Sequence, residues 1–158
     1  MIPSIYIFTK YLLKYIGMFT DKSFNATFGV TNKLIDYFTP NENEAEFYTG
    51  IKINDERDAR ESAKKLLNMG IKNVIITLGE KGLFYSNGID EIYIEANKVK
   101  AIDTTGAGDA FNGGFSFALL NGKKIKDCLE FANKVAGLST TKLGAGDSMP
   151  ALCELNKL

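Results

Sequence analysis

The sequence predicts an α/β sandwich, with a mostly parallel sheet flanked by helices. Three observations lead there. Asn73 to Leu78 is a short apolar, β-branched run that reads as a buried strand. A glycine-rich loop at 103–108 leads from a strand-like segment into a helical one. Strand-like and helical stretches alternate along the chain as a whole, as a layered α/β domain requires.

The elements follow in order. Residues 1 to about 35 carry no firm pattern. Met1 to Phe19 is rich in Ile, Leu, Tyr and Phe, but Lys10 and Lys14 interrupt it. A membrane span needs about 20 apolar residues with few charges. No small-residue cleavage site follows the run, as a signal peptide would need. The stretch therefore reads as a helix or strand that packs on something else, and no membrane partner is expected. Pro40-Asn41 opens a helix to about Tyr48, and Gly50 closes it. Asp55 begins the next helix, with Ala59, Ala63, Leu66 and Leu67 at helical spacing and Gly70 just past its end. Leu83 to Tyr85, the turn Ser86-Asn87-Gly88, and Glu91 to Glu95 read as a hairpin. Val99 to Ile102 reads as a further short strand. A helix is expected from about Gly108 to Leu120, stopped by Asn121-Gly122. Another runs from about Lys126 to Thr140, with Leu129, Ala132, Val135 and Ala136 on one face. The tail holds Gly144-Ala145-Gly146, Pro150 and a short last helix.

The 158 residues suffice for one domain with a real core. Lys plus Arg equals Asp plus Glu at 19 each, which removes the electrostatic case for a nucleic-acid partner. Cys128 and Cys153 make neither a disulfide framework nor a zinc site, and they suit a reducing cytoplasm. There is no histidine. That excludes a His base, a Cys–His pair and a Ser–His–Asp triad, so acid–base chemistry falls to carboxylates, Lys or Tyr.

Residues 103–114 read D-T-T-G-A-G-D-A-F-N-G-G. Gly106 and Gly108 let the backbone turn tightly and approach a ligand. The amides of Gly106, Ala107 and Gly108 would then face outward at a helix N-terminus, which makes an anion site. Such a nest suits phosphoryl transfer, where the protein mainly positions groups and stabilises charge. Asp109, in the first helical turn, can accept the proton of an attacking hydroxyl. The plainer reading is a strand–turn–helix in which the glycines only turn the chain and Asp109 caps the helix. A dinucleotide fingerprint would need a third glycine where Phe111 stands. A Walker loop would need Gly-Lys followed by Ser or Thr, which does not occur.

The run D-T-T-G-A-G-D-A-F-N-G-G closely resembles the second signature of the ribokinase (PfkB) family of carbohydrate kinases. Other segments agree in order. D-Y-F-T-P-N-E-N-E-A-E at 36–46 is similar to the family's T-P-N-E-x-E-A, and N-V-I-I-T-L-G-E-K-G at 73–82 to its T-L-G-x-x-G nucleotide strand. F-A-N-K-V-A at 131–136 and T-K-L-G-A-G-D-S-M-P at 141–150 fit its last helix and following loop. The resemblance covers about Asp36 to Pro150 and is strongest to the ribokinase branch.

It implies the C-terminal portion of a ribokinase-like three-layer sandwich. Residues 1–35 stay unassigned, and 36–158 form the nucleotide-binding and catalytic half. By resemblance, Asp109 is the base, and Gly106, Ala107 and Gly108 form the anion hole for the γ-phosphate of ATP. Asn41 and Glu44 match the N-x-x-E motif tied to magnesium and phosphate, although the same pair also reads as a capping box. Thr77, Gly79 and Gly82 border the nucleotide, and Asn133 matches a position near the adenine, where it also reads as an ordinary exposed helix residue. Asp103 and Thr105 match a monovalent-cation loop, completed by Ser148 and carbonyls of 140–146, with potassium as the candidate ion. Asp103 also reads as a turn-stabilising residue. In the second G-A-G-D, at 144–147, Gly146-Asp147 fall in a variable part of the family loop, and the segment is not read as a second site.

The implied activity is transfer of the ATP γ-phosphoryl to a primary sugar hydroxyl, most simply the 5-hydroxyl of ribose. The family's sugar-binding half has no counterpart in residues 1–35. A homo-oligomer or a separate N-terminal half are the expected partners, with Tyr6, Ile7, Leu12, Leu13 and Phe19 as partial cover for an open sheet edge. The alternative is a non-catalytic nucleotide-binding or assembly module built on the same fold. A third reading is a gene remnant that does not fold stably.

Overall fold

Asn73–Thr77, the buried apolar run, forms a central strand, β2. In the computed structural model, which describes residues 35–155, it lies between β1 (Tyr37–Phe38) and β3 (Leu83–Ser86), and β4 (Glu91–Ile94) closes the sheet order β1-β2-β3-β4. The expectations for Met1 to Phe19, and the covering role of Tyr6, Ile7, Leu12, Leu13 and Phe19, lie outside the described residues.

Helices α1 (Glu42–Thr49) and α2 (Glu56–Asn68) separate β1 from β2, and this crossover lets the two strands pair in parallel. Both helices begin at side chains expected to cap them. Asn41 Oδ1 accepts from the Glu44 amide at 2.9 Å, and Asp55 Oδ1 from the Asp58 amide at 3.0 Å. Gly50 ends α1 in the left-handed region, φ 69°.

After β2 the chain turns back at once. A 3₁₀ turn at Gly79–Lys81 and Gly82 at φ 109° reverse it, and the Leu78 amide donates to the Gly82 carbonyl at 2.8 Å. With no helix between them, β2 and β3 pair antiparallel, as do β3 and β4. The described sheet is therefore mixed rather than mostly parallel. The hairpin forms as expected, but its turn sits one residue later, because Asn87 Oδ1 accepts the amides of Ile89 and Asp90 at 2.9 and 2.6 Å.

Val99 to Ile102 is not a strand. The amides of Ile102 and Asp103 donate to the Thr140 carbonyl at 2.7 and 3.1 Å, so the segment is tied to the end of a helix instead of a neighbouring strand. Ile102 stays 59% exposed, so the apolar residues here do not mark a buried face. Beyond the loop come α3 (Ala107–Leu120), α4 (Ile125–Ser139) and the short α5 (Leu152–Leu155).

Three layers result. On one face, Val74, Ile76 and Phe84 pack with Ala45, Ala59, Ala63 and Leu66 of α1 and α2. On the other, Ile75, Leu83 and Tyr85 pack with Phe111, Phe115 and Leu129 of α3 and α4. Strand alternation sends successive residues of β2 to opposite faces, and both faces are covered, which is why the run is apolar throughout. Gly114 brings α3 and α4 close together; a Cβ there would sit 2.9 Å from Val135 Cγ2.

Candidate active site

The end of β2 carries the site. The Thr77 amide donates to the Pro40 carbonyl at 2.9 Å, and Asn41 bridges Thr77 in parallel, so pairing continues past β1. Asn41 and Thr77 thus lie side by side at strand ends, where ligands gather in open α/β sheets. The N-terminus of α3 faces them. Two cavities meet at this wall. A smaller one, about 280 Å³, is lined by Asn41, Glu44, Tyr48, Gly106, Gly108 and Asp109 among others. A larger one, about 600 Å³, is lined by Thr77, Gly79, Gly82, Asn97 and Asn133 among others. Asn41, Thr77, Thr104, Ala107, Gly108 and Phe111 belong to both.

Helix α3 starts at Gly106, φ 79°, and has no side-chain cap. Asp109 therefore does not cap it, against the plainer sequence reading. Two of the three expected amides, those of Gly106 and Gly108, have no protein partner among the described residues. The third is engaged: the Ala107 amide donates to the Thr104 carbonyl at 3.2 Å. The nest is thus narrower than the sequence suggested, with Gly106 and Gly108 as its free donors.

Asp109 is exposed, and its carboxylate has no hydrogen bond or ion pair among the described residues. Among the described residues, the smaller cavity holds one other carboxylate, Glu44. Glu44 Oε2 accepts from the Asn41 amide at 2.9 Å, completing the capping box. The Tyr48 hydroxyl is pushed up to about 12, first by burial and then by the nearby Glu44 charge. Tyr48 therefore stays protonated near neutral pH and serves only as a hydrogen-bonding group. Among the described residues, no lysine lines this cavity. Asp109 is left as the carboxylate free to take a proton.

The remaining predicted residues divide. Thr77, Gly79, Gly82 and Asn133 come together on the larger cavity. Asn133 Nδ2 also donates to the Glu95 carbonyl at 2.8 Å, so it is a tie between α4 and the chain after β4 rather than an ordinary surface residue. Asp103, Thr105 and Ser148 lie off both cavities. Asp103 accepts from the Thr105 amide and from the Gly144 amide, each at 2.9 Å, which closes loop 103–106 onto loop 140–148. The Gly144 amide, and after it Thr105, hold the Asp103 carboxyl below its ordinary value. Ser148 is buried and donates to the Ala145 carbonyl at 3.0 Å.

Sequence reasoning missed Asn112, Tyr48 and Asn97. Asn112 carried a signal, since it lies three residues after Asp109 on the same helical face. Asn97 carried none, because it sits in an irregular segment with no periodicity to read.

The profile of the pfkB family of carbohydrate kinases matches residues 19–152. The chain belongs to that family. The match begins upstream of Asp36, where the resemblance was read to start. This pfkB chain is 43% identical over 126 residues to the ribokinase of Staphylococcus aureus, covering 79% of this chain and 41% of that protein. It is 47% identical over 117 residues to the ribokinase of Haemophilus influenzae, covering 74% and 38%. Among solved structures, it is similar to Arabidopsis thaliana ribokinase complexed with ribose and ATP, with a TM-score of 0.77, 32% identity, and coverage of 82% of this chain and 42% of that one. The pfkB chain thus spans about two fifths of the length of the curated relatives it matches. Among the described residues, no helix is long and apolar enough to cross a membrane.

Proposed function

We propose that the chain is the nucleotide-binding and phosphoryl-transfer half of an ATP-dependent sugar kinase, with ribose as the sugar. The observation that carries this is the Asp109 carboxylate and the amides of Gly106 and Gly108, without partners among the described residues, together on the smaller cavity, with Gly108 shared by the larger. ATP takes the larger cavity, bordered by Thr77, Gly79, Gly82 and Asn133, and its γ-phosphate reaches the amide of Gly108 and, on the smaller cavity, that of Gly106. The acceptor hydroxyl enters the smaller cavity. Asp109 takes the hydroxyl proton as the sugar oxygen bonds to the γ-phosphorus. The bond to the β,γ-bridging oxygen breaks in line, and ADP leaves.

Magnesium fits the donor set. Glu44 reaches the smaller cavity with Oε2 held by the cap and its other oxygen free of it, and magnesium is often bound by one or two carboxylates plus substrate phosphates and waters. When bound, it screens the charge on the phosphates. Potassium is proposed at Asp103, Thr105 and Ser148 with carbonyls of 140–146. The donors are all oxygen, which suits the ion, although each Asp103 oxygen already accepts an amide. Cys128 and Cys153 are free thiols, which supports a reducing, cytoplasmic setting. A separate N-terminal half or a homo-oligomer is proposed as the partner.

Calorimetric titration of magnesium–ATP into the folded chain tests the nucleotide half. Ribose phosphorylation with added N-terminal half tests the chemistry. Asp109→Asn should abolish turnover with ATP affinity nearly unchanged, and equal turnover in that variant would remove Asp109 from the base role. The second reading is a non-catalytic nucleotide-binding or assembly module built on the same fold. It is supported if ATP binds and no sugar is phosphorylated with any complement.

A further inference from the structure

Asn97 follows β4 in the irregular segment before the glycine loop and lines the larger cavity. Its Nδ2 is the one buried side-chain nitrogen or oxygen without a hydrogen-bond partner among the described residues. Buried polar groups are nearly always paired, so each exception calls for an explanation. The surroundings supply one. Gly137 on α4 stands against Asn97, such that a Cβ there would lie 3.6 Å from Asn97 Cβ and 4.0 Å from Nδ2. Ala96, Ala101 and Ala136 line the same cavity. Small residues thus border the cavity around Asn97, whose carboxamide nitrogen is left unmatched.

We infer that Asn97 reads the base of the bound nucleotide and favours adenine over guanine. This rests on the reading of the larger cavity as the nucleotide site. The last side-chain torsion of asparagine is broad, so the amide turns from its buried position to face the cavity. A carboxamide presents one acceptor and two donors side by side. Adenine offers a matching pair, its amino group as donor and the adjacent ring nitrogen as acceptor. Guanine offers two acceptors at the corresponding edge, which sets the Asn97 carbonyl against its O6. The orphaned donor is then a state of the free protein that the correct base relieves.

The test uses the full chain and three measurements: calorimetric affinity for magnesium–ATP, affinity for magnesium–GTP, and thermal melting without nucleotide. Asn97→Leu keeps the volume and removes both polar groups, and Asn97→Ala serves if leucine prevents folding. The wild-type chain should prefer ATP by about tenfold. Asn97→Leu should weaken ATP by about that factor, leave GTP little changed, and raise the melting temperature, since a buried unpaired amide is removed. A purely structural asparagine would not move the ATP-to-GTP ratio. An unchanged ratio in a folded variant overturns the inference and leaves the nucleotide site standing. Absence of ATP binding by the folded wild-type chain overturns both.

Discussion

Exchanging Gly106 and Gly108 for alanine, one at a time, adds the same methyl group two residues apart and should give opposite results. Gly106 sits at φ 79°, where an L-residue costs about 1–2 kcal/mol. Its new Cβ would meet Ala145 Cβ at 2.9 Å, against an ordinary carbon contact of about 3.5–4.0 Å, and overpacking of this kind costs about 1 kcal/mol or more. Reduced freedom of the unfolded chain returns about 0.4–1 kcal/mol. The net is a loss of about 2 kcal/mol, or about 4–8 °C in melting temperature for a chain of this size. Gly108 has no positive φ, and nothing lies within 4 Å of an added Cβ. In the first turn of α3, alanine there should stabilise by up to about 1 kcal/mol. Yet Gly108 faces both cavities, and the added methyl stands where a phosphate would approach the amides. Gly108→Ala should therefore melt higher and bind magnesium–ATP more weakly, so its binding loss is not unfolding. Urea denaturation followed by circular dichroism, with calorimetric titration alongside, reads both quantities. Equal stability of the two variants would refute the conformational reasoning. Unchanged ATP affinity in Gly108→Ala would refute the placement of the phosphate.

Glu44→Gln keeps the capping geometry, because glutamine also completes the box, but removes the carboxylate. Its melting temperature should match wild type while ATP affinity loses its dependence on magnesium; a melt lowered by as much as Asn41→Ala, about 1 kcal/mol, with magnesium dependence intact, would confine Glu44 to the cap. Asp103 has a folded-state pKa held below its ordinary 3.8 by the Gly144 and Thr105 hydrogen bonds. The stability it contributes is present above 3.8 and is lost as pH falls through the lower folded value, so Asp103→Asn should flatten the acid limb of a stability–pH curve there. Identical acid limbs would show that the loop closure carries no stability. Gly82→Ala, at φ 109°, would drive its Cβ into the Ile94 carbonyl and to 2.7 Å from the Ala96 nitrogen. A loss of about 3 kcal/mol is expected in denaturant titration, and an unchanged midpoint would mean the hairpin shifts freely.

Local signals carried far in this chain. The caps at Asn41 and Asp55, the buried run of β2 and the hairpin were legible because each is decided within a few residues by hydrogen-bonding chemistry or periodicity. What failed to show depends on distant partners. The sheet is mixed because Gly82 reverses the chain against Ile94 and Ala96, a contact no short window contains. Val99 to Ile102 has β-branched residues, but the Thr140 carbonyl claims the amides that end it. The glycine loop announced a tight turn at the head of a helix, whereas the loss of the Ala107 amide to Thr104 follows from the path of the turn. Asn133 had the composition of a surface residue, and only its bond to Glu95, 38 positions away, gives it a structural task.

Several candidate residues hold two tasks, and this decides which experiments are informative. Asn41 caps α1 and lines both cavities; Glu44 completes the cap and lines the smaller one. Asn133 ties α4 to the chain after β4 while bordering the larger cavity, and Asp103 closes two loops. Removing any of these side chains alters the framework and the site together, so lost activity would not separate the roles. Asp109 and Gly108 differ. Among the described residues, the Asp109 carboxylate has no partner and the Gly108 amide donates to none. An unpaired carboxylate and an unpaired amide at the head of a helix contribute little to folding, since exposed groups left in water neither gain nor lose much. Their shared place on the smaller cavity, with Gly108 also on the larger, is therefore better explained by a ligand than by the fold, and substitutions there test function with the least disturbance of structure.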